Sequence, residues 1–272
     1  MVGMKSLYLP FADAFIRYHD IGAGKDAPVL VYLSGLNFSV LSCHLKLATH
    51  PSLSSYRAIL IEYLGTGHSE TPAAFSYTPQ AHAECVAAVL KHEGIEGCTI
   101  VGHSQGGTVG IELAHANPDL VAHLIVCEGN LTPGGGAGTK YFASVEEDRF
   151  ASDLFPRFLH GRRKAAIEGD GAAAAMLAGW VGSDVRAIHK ASVALVDLDP
   201  ETETRFLNLQ TRRSFIYGEL SIPEAGAAYL PDVPDPAWLE AHGVVTAIMP
   251  GADHSMMMKD PDGFAKVLKP LL

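Results

Sequence analysis

The chain has 272 residues, long enough to bury one large hydrophobic core and to carry an inserted subdomain. It is 48% hydrophobic and 18% charged, the make-up of a globular enzyme. Its formal net charge of −10 excludes partners that must be met by a basic stripe, nucleic acid and anionic membrane surfaces among them. No run approaches the roughly 18 uninterrupted apolar residues of a membrane span, so no transmembrane helix is expected. Met1–Pro10 carries one lysine and no long apolar stretch, which argues against a secretory signal and for a cytoplasmic protein. The four cysteines, Cys43, Cys85, Cys98 and Cys127, lack C-x-x-C spacing, and the expectation is reduced, buried thiols.

Two short strand patterns open the chain at Lys5–Leu9 and Ala14–Tyr18, followed by a Gly22-Ala23-Gly24 turn. The turn superficially resembles a dinucleotide fingerprint but precedes a strand instead of following one. Pro28–Leu33, Arg57–Tyr63, Cys98–Val101 and Ala122–Cys127 are short apolar runs without alternation, as in strands covered on both faces. Helical periodicity separates them at Pro79–Glu93 and Gly106–Asn117. Strands alternating with helices of this length predict an α/β fold with a doubly wound, mostly parallel sheet.

The alternation stops after Leu131. A glycine-rich stretch (133–138) leads into helical sequence at Glu146–Leu159, Ala172–Trp180 and Asp184–Leu195, with no strand pattern until Ser214–Tyr217. The predicted organisation is therefore a core of residues 1–130 and 213–272 with a helical cap at 131–212. Val244–Met249 supplies a last strand and Pro261–Leu268 a closing helix.

The most informative segment is Thr99-Ile100-Val101-Gly102-His103-Ser104-Gln105-Gly106-Gly107. G-x-S-x-G is weak as a bare string, but here a strand runs into it and a helix leaves it. Such a turn is so sharp that side chains at 102 or 106 would strike backbone, and it lifts the serine hydroxyl into the open. A serine hydroxyl needs a base within reach, itself held by a third group. His254, in Pro250-Gly251-Ala252-Asp253-His254-Ser255 after the final strand, is the one of 13 histidines placed for that role.

The segments LSGLN (33–37), EYLGTGHS (62–69), GHSQGG (102–107) and PGADHS (250–255) resemble the α/β-hydrolase superfamily in order and spacing. The resemblance implies a cofactor-independent enzyme, with Ser104 as nucleophile and His254 as base. It implies an oxyanion hole formed by the Leu36 and Gln105 amides. Ser34 stands where the family often has histidine, and its hydroxyl is a candidate brace for that loop. Asn37 either reaches the substrate or serves the turn.

The family's acid usually follows the penultimate strand, but the matching stretch Gly218-Glu219-Leu220-Ser221 puts serine there. Glu128, directly after LIVC, resembles the alternative placement in a haloalkane dehalogenase branch and in certain lactonases. A carboxylate at such a strand end also needs a partner, because burying it unpaired costs several kcal/mol. Glu128 is thus the expected acid and Glu219 its alternative, with Glu224, Asp253 or no acid at all behind. Met257, Trp180 and Phe155–Leu159 are candidates for the pocket wall.

No metal is expected: Glu112-x-x-His115 lacks the second copy of a di-iron site, and His82-Ala83-Glu84 lacks the rest of a zinc deaminase motif. The sequons at Asn37 and Asn130 are read as chance. The leading expectation is a serine hydrolase that cleaves a small or medium ester or lactone. One alternative on the same scaffold is a cofactor-free oxygenase cleaving an N-heteroaromatic ring with the histidine as base. The other is a slow-turnover ligand receptor. In each, the partner is a small molecule.

Overall fold

Apolar runs without alternation become the central strands of an eight-stranded sheet in the computed structural model, which describes residues 3–272 apart from the side chain of Ala172. Of the Met1–Pro10 segment read for a signal, Met1 and Val2 lie outside the described residues. The strands are β1 (Gly3–Leu9), β2 (Ala14–Gly22), β3 (Val29–Leu33), β4 (Arg57–Glu62), β5 (Cys98–His103), β6 (Val121–Cys127), β7 (Arg212–Gly218) and β8 (Val245–Met249). Their order is β1-β2-β4-β3-β5-β6-β7-β8. The β1–β2 and β2–β4 pairings are antiparallel, and every later one is parallel.

Both faces of the sheet are covered, as the sequence implies. Val31 and Leu33 face α2 (Pro79–His92) and α3 (Gln105–Ala116), whereas Leu30 and Tyr32 face α1 (Val40–Ala48) and the closing helix Pro261–Leu268. Sequence periodicity passes over α1. The helix is short, and its N-terminus is completed from far away: buried Glu62 accepts from Val40 N at 3.0 Å and from Ser39 Oγ at 2.7 Å. A carboxylate there satisfies an orphan amide and the helix dipole together.

A helical insertion lies between β6 and β7: α4 (Ala137–Ala143), α5 (Glu147–Arg149), α6 (Phe155–Ile167), α7 (Gly171–Trp180), α8 (Val185–Val196) and α9 (Thr202–Asn208). The helix expected at Glu146–Leu159 is instead broken by a π-helical turn at Phe150–Leu154. Pro156 has no N–H to donate back, and the irregular turn lies just before it. Phe142, Phe150, Phe155 and Trp180 bury one another in a separate aromatic core. Arg205 on α9 pairs with Glu112 on α3 at 3.0 Å, so Glu112 of the Glu112-x-x-His115 echo serves to dock the insertion. His82 is buried between Tyr63 and Phe75, and burial pushes it down to about 3, a neutral core histidine.

After β7 come α10 (Pro236–Ala241), which the periodicity also passes over, β8, α11 (Met256–Lys259) and α12 (Pro261–Leu268). All four cysteines are free and buried. Among the described residues no helix is long and apolar enough to cross a membrane.

Candidate active site

Strand register gathers the sequence-predicted residues at one edge of the sheet. His103 is level with Cys127, and Cys127 with Ile216, so Ser104, Glu128 and Tyr217 leave neighbouring strand ends together. Two backbone bonds lock that step: Ser104 N donates to Cys127 O at 2.9 Å, and Glu128 N to Ile216 O at 3.2 Å. The carboxyl-terminal edge of a parallel sheet is where open α/β folds place ligands.

Ser104 sits at φ 53° and ψ −122°, a conformation that L residues avoid. The turn is as tight as its glycines imply. A Cβ at Gly102 would lie 2.4 Å from Gly106 O, and one at Gly106 would lie 2.3 Å from Leu33 O. Asn37 and Glu128 also have positive φ, at 43° and 49°. Strain therefore collects at Asn37, Ser104 and Glu128, held in place by the surrounding packing.

Glu128 is fully buried and both its oxygens are engaged. Oε2 accepts from His254 Nδ1 at 2.6 Å and Oε1 from the Gly218 amide at 2.6 Å. Donation from Nδ1 leaves Nε2 of a neutral His254 as the acceptor. Partial burial works against protonation of His254, but the Glu128 carboxylate outweighs it, with help from Asp232 and Asp253, and raises the histidine above its ordinary value. Ser104 and His254 line the same cavity, although no hydrogen bond joins their side chains among the described residues.

The other acids go elsewhere. Glu219 Oε2 accepts from Gly251 N at 2.7 Å, bracing the loop that carries His254. Asp253 accepts from Ser255 N and pairs with Lys259, and Glu224 is exposed. Ser221 lines the cavity wall.

Neither the Leu36 nor the Gln105 amide donates to another protein group among the described residues; Gln105 follows Ser104 in the chain, and Leu36 lines the same cavity as Ser104. The Gln105 side chain ties the two loops together by accepting from Asn37 N at 2.9 Å. Ser34 Oγ donates to Phe38 O at 2.6 Å, the brace anticipated for a loop without histidine. Asn37 is buried at positive φ, and its side-chain Oδ1 and Nδ2 have no hydrogen-bond partner among the described residues; neither it nor Asn130, 2% exposed, offers a sequon to a glycosylating enzyme.

The insertion clamps the same loop from outside. Trp180 Nε1 donates to Leu36 O at 3.0 Å, Ser39 N to Gly179 O at 2.9 Å, and Ser183 Oγ to Asn37 O at 2.6 Å. Trp180 also lines a cavity of about 460 Å³ above Ser104, together with Phe38, Met176 and Met258. Of the candidates for that wall, Met257 and, from the Phe155–Leu159 stretch, Phe155, Phe158 and Leu159 are instead packed into the two neighbouring cores, and Met258 takes the place expected of Met257.

Sequence reasoning missed two residues. His103 packs against His254 at 4.8 Å between centroids, the rings tilted by 46°, and donates from Nε2 to His254 O at 2.8 Å. Burial holds His103 neutral, and its Nδ1 faces the Cys43 thiol at 3.9 Å, itself pushed up to about 12 by burial. Its place beside the nucleophile was the available signal. The second residue, Asp232, lies in a loop where nothing in the sequence separates it from Asp235, which caps α10.

Comparison with known proteins agrees with this architecture. The model of the family described as alpha/beta hydrolase fold matches residues 28–210. The chain belongs to the α/β-hydrolase fold family. A hydrolase of 2-hydroxy-6-oxononadienedioate and 2-hydroxy-6-oxononatrienedioate from Paraburkholderia phymatum is 30% identical over 123 residues, 45% of this chain and 41% of the relative. Epoxide hydrolase 3 of Xenopus tropicalis is 29% identical over 147 residues, 53% of this chain and 39% of the relative. The matched segments thus span about two fifths of these curated relatives. Among solved structures, a carboxylesterase study of Nitrososphaera gargenis gives a TM-score of 0.77 at 18% identity, covering 98% of this chain and 97% of the other. The enol-lactonase of Burkholderia xenovorans LB400 gives 0.76 at 15% identity, covering 97% and 98%. These structural likenesses speak to fold.

Proposed function

We propose that this protein is a serine hydrolase that cleaves small or medium carboxylic esters or lactones through an acyl-enzyme on Ser104. His254 Nε2 takes the hydroxyl proton as Oγ attacks the carbonyl carbon. Glu128 holds the imidazole in the productive tautomer and stabilises its charged form. The Leu36 and Gln105 amides receive the oxyanion, where fixed donors act most strongly. His254 then returns its proton to the leaving alcohol and activates the water that releases the acid. The observation that carries this reading is the 2.6 Å contact between His254 Nδ1 and buried Glu128, one strand from Ser104 and opening on the same cavity.

Ser104 also speaks against the aspartate-nucleophile chemistry of epoxide hydrolases, despite the partial identity with one. A fluorophosphonate probe should label the wild type at Ser104, and p-nitrophenyl ester turnover should vanish in Ser104→Ala. Full ester turnover by Ser104→Ala sinks the mechanism. Absent labelling with oxygen uptake on a hydroxyquinolone transfers the site to ring-cleaving chemistry. Tight ligand binding without turnover makes it a receptor.

A further inference from the structure

The cavity above Ser104 contains a carboxyl group that takes no bonding step in the hydrolytic reading and acts there only through its charge on His254. Asp232, in the loop between β7 and α10, is 9% exposed and makes no hydrogen bond to another residue among those described. Its Oδ1 has no partner at all, and its Oδ2 rests against Gly136 on the insertion side of the cavity. Glu128, by contrast, has its charge answered by His254 and the Gly218 amide. Among the described residues no lysine or arginine lines this cavity. Lys140 is near enough to pull Asp232 down, as His254 does, yet burial outweighs both and raises it. Asn130 Nδ2, a second unpartnered buried group, lines the same space as a spare donor.

A buried carboxylate without a partner is costly, and a ligand that brings the partner recovers that cost on binding. The rest of the wall is Trp180, Met176, Phe38, Leu220 and Leu230, which suits a hydrocarbon frame. We propose that Asp232 is a specificity residue, and that the substrate is an ester or lactone carrying a protonated amine, whose N–H pairs with the Asp232 carboxylate while the hydrocarbon fills the apolar wall. The same charge repels substrates with a second carboxylate. This assignment rests on the ester-hydrolase reading for its chemistry, but not for its binding.

The test compares isosteric pairs: 2-(dimethylamino)ethyl acetate with 3-methylbutyl acetate, and methyl 4-(dimethylamino)butanoate with methyl 5-methylhexanoate. In wild type, kcat/KM should favour the amine in at least one pair by about tenfold or more, the scale of one charge-assisted hydrogen bond. Asp232→Asn should bring that ratio close to one while retaining turnover of the hydrocarbon ester; Asp232→Ser gives a second reading of the same ratio should the amide fold poorly. Equal turnover within both pairs in wild type, or an unchanged ratio in the variants, overturns the proposal. Calorimetry with 5-(dimethylamino)pentan-2-one and its isostere 6-methylheptan-2-one separates binding from hydrolysis. If neither ester turns over, the hydrolase reading fails, yet tighter binding of the amino ketone that Asp232→Asn abolishes upholds this inference. Equal binding of the two ketones then overturns it.

Discussion

The two walls of the cavity are built on different principles. The strand-edge wall holds Ser104, Glu128 and the Leu36–Asn37 loop, and there backbone register places Ser104 and Glu128, and both carboxylate oxygens of Glu128 have partners. The opposite wall comes from the insertion and the β7–α10 loop, is mostly apolar, and leaves Asp232 unanswered. The first wall suits chemistry common to many substrates. The second suits selection among them, which is where loops hung on a rigid scaffold place it.

The sharpest way to break that division is to neutralise Glu128, the proposed acid. Glu128→Gln keeps the shape of the strand edge but loses the charge and favours the wrong tautomer of His254. Ester turnover should fall by about 10³- to 10⁴-fold, whereas Glu219→Gln, which only braces Gly251, should stay near wild type. The reverse ranking, read as kcat on one p-nitrophenyl ester, moves the acid to the end of β7.

The next largest effect falls on stability. A methyl group at Gly106 meets Leu33 O at 2.3 Å, backbone that cannot swing aside. Gly106→Ala should cost about 3 kcal/mol in urea unfolding, the upper end of ordinary overpacking penalties. A midpoint equal to wild type would mean that the elbow is looser than its geometry states.

The strand-edge wall was legible in the sequence because its constraints are local. G-x-S-x-G is forced by close backbone approach, and β6 and β7 follow from continuous apolar runs. Serine at 221 pointed away from the usual acid, and an acid at the end of LIVC pointed to Glu128. The other wall was not legible, because its contacts join residues far apart in the chain. Trp180 meets Leu36 across 144 positions, and α1 is capped by Glu62 from another strand. Asp232 and Asp235 sit in one proline-rich loop, and only folding sends one to a helix N-terminus and the other into the cavity.

The seam between the walls gives a smaller effect. Trp180→Phe keeps the aromatic packing against Phe38 but leaves Leu36 O without its donor. An unpaired buried acceptor costs about 1–3 kcal/mol, and the loop it steadies carries the Leu36 amide proposed to receive the oxyanion. Thus kcat should fall by roughly 5- to 30-fold, the equivalent of 1–2 kcal/mol, with KM changing less. A change confined to KM would place Trp180 in selection alone.

The smallest effect links the walls through charge. In the proposed mechanism His254 must be neutral to take the serine proton, so its raised pKa should put the acid limb of kcat/KM above the ordinary histidine value of ~6.5. Glu128 supplies most of that rise and Asp232 a lesser part, so Asp232→Asn should move the limb to lower pH while Glu219→Gln leaves it in place. The linkage sign is that of a raised histidine: its stabilising contribution is complete below the unfolded value and is lost as pH rises through the folded one. The alkaline loss of stability from this group should therefore be smaller in Asp232→Asn than in wild type and complete at lower pH, with its onset near the unfolded value unchanged. An acid limb that does not move in Asp232→Asn would show the two walls to be electrostatically independent, leaving Asp232 to act on the substrate alone.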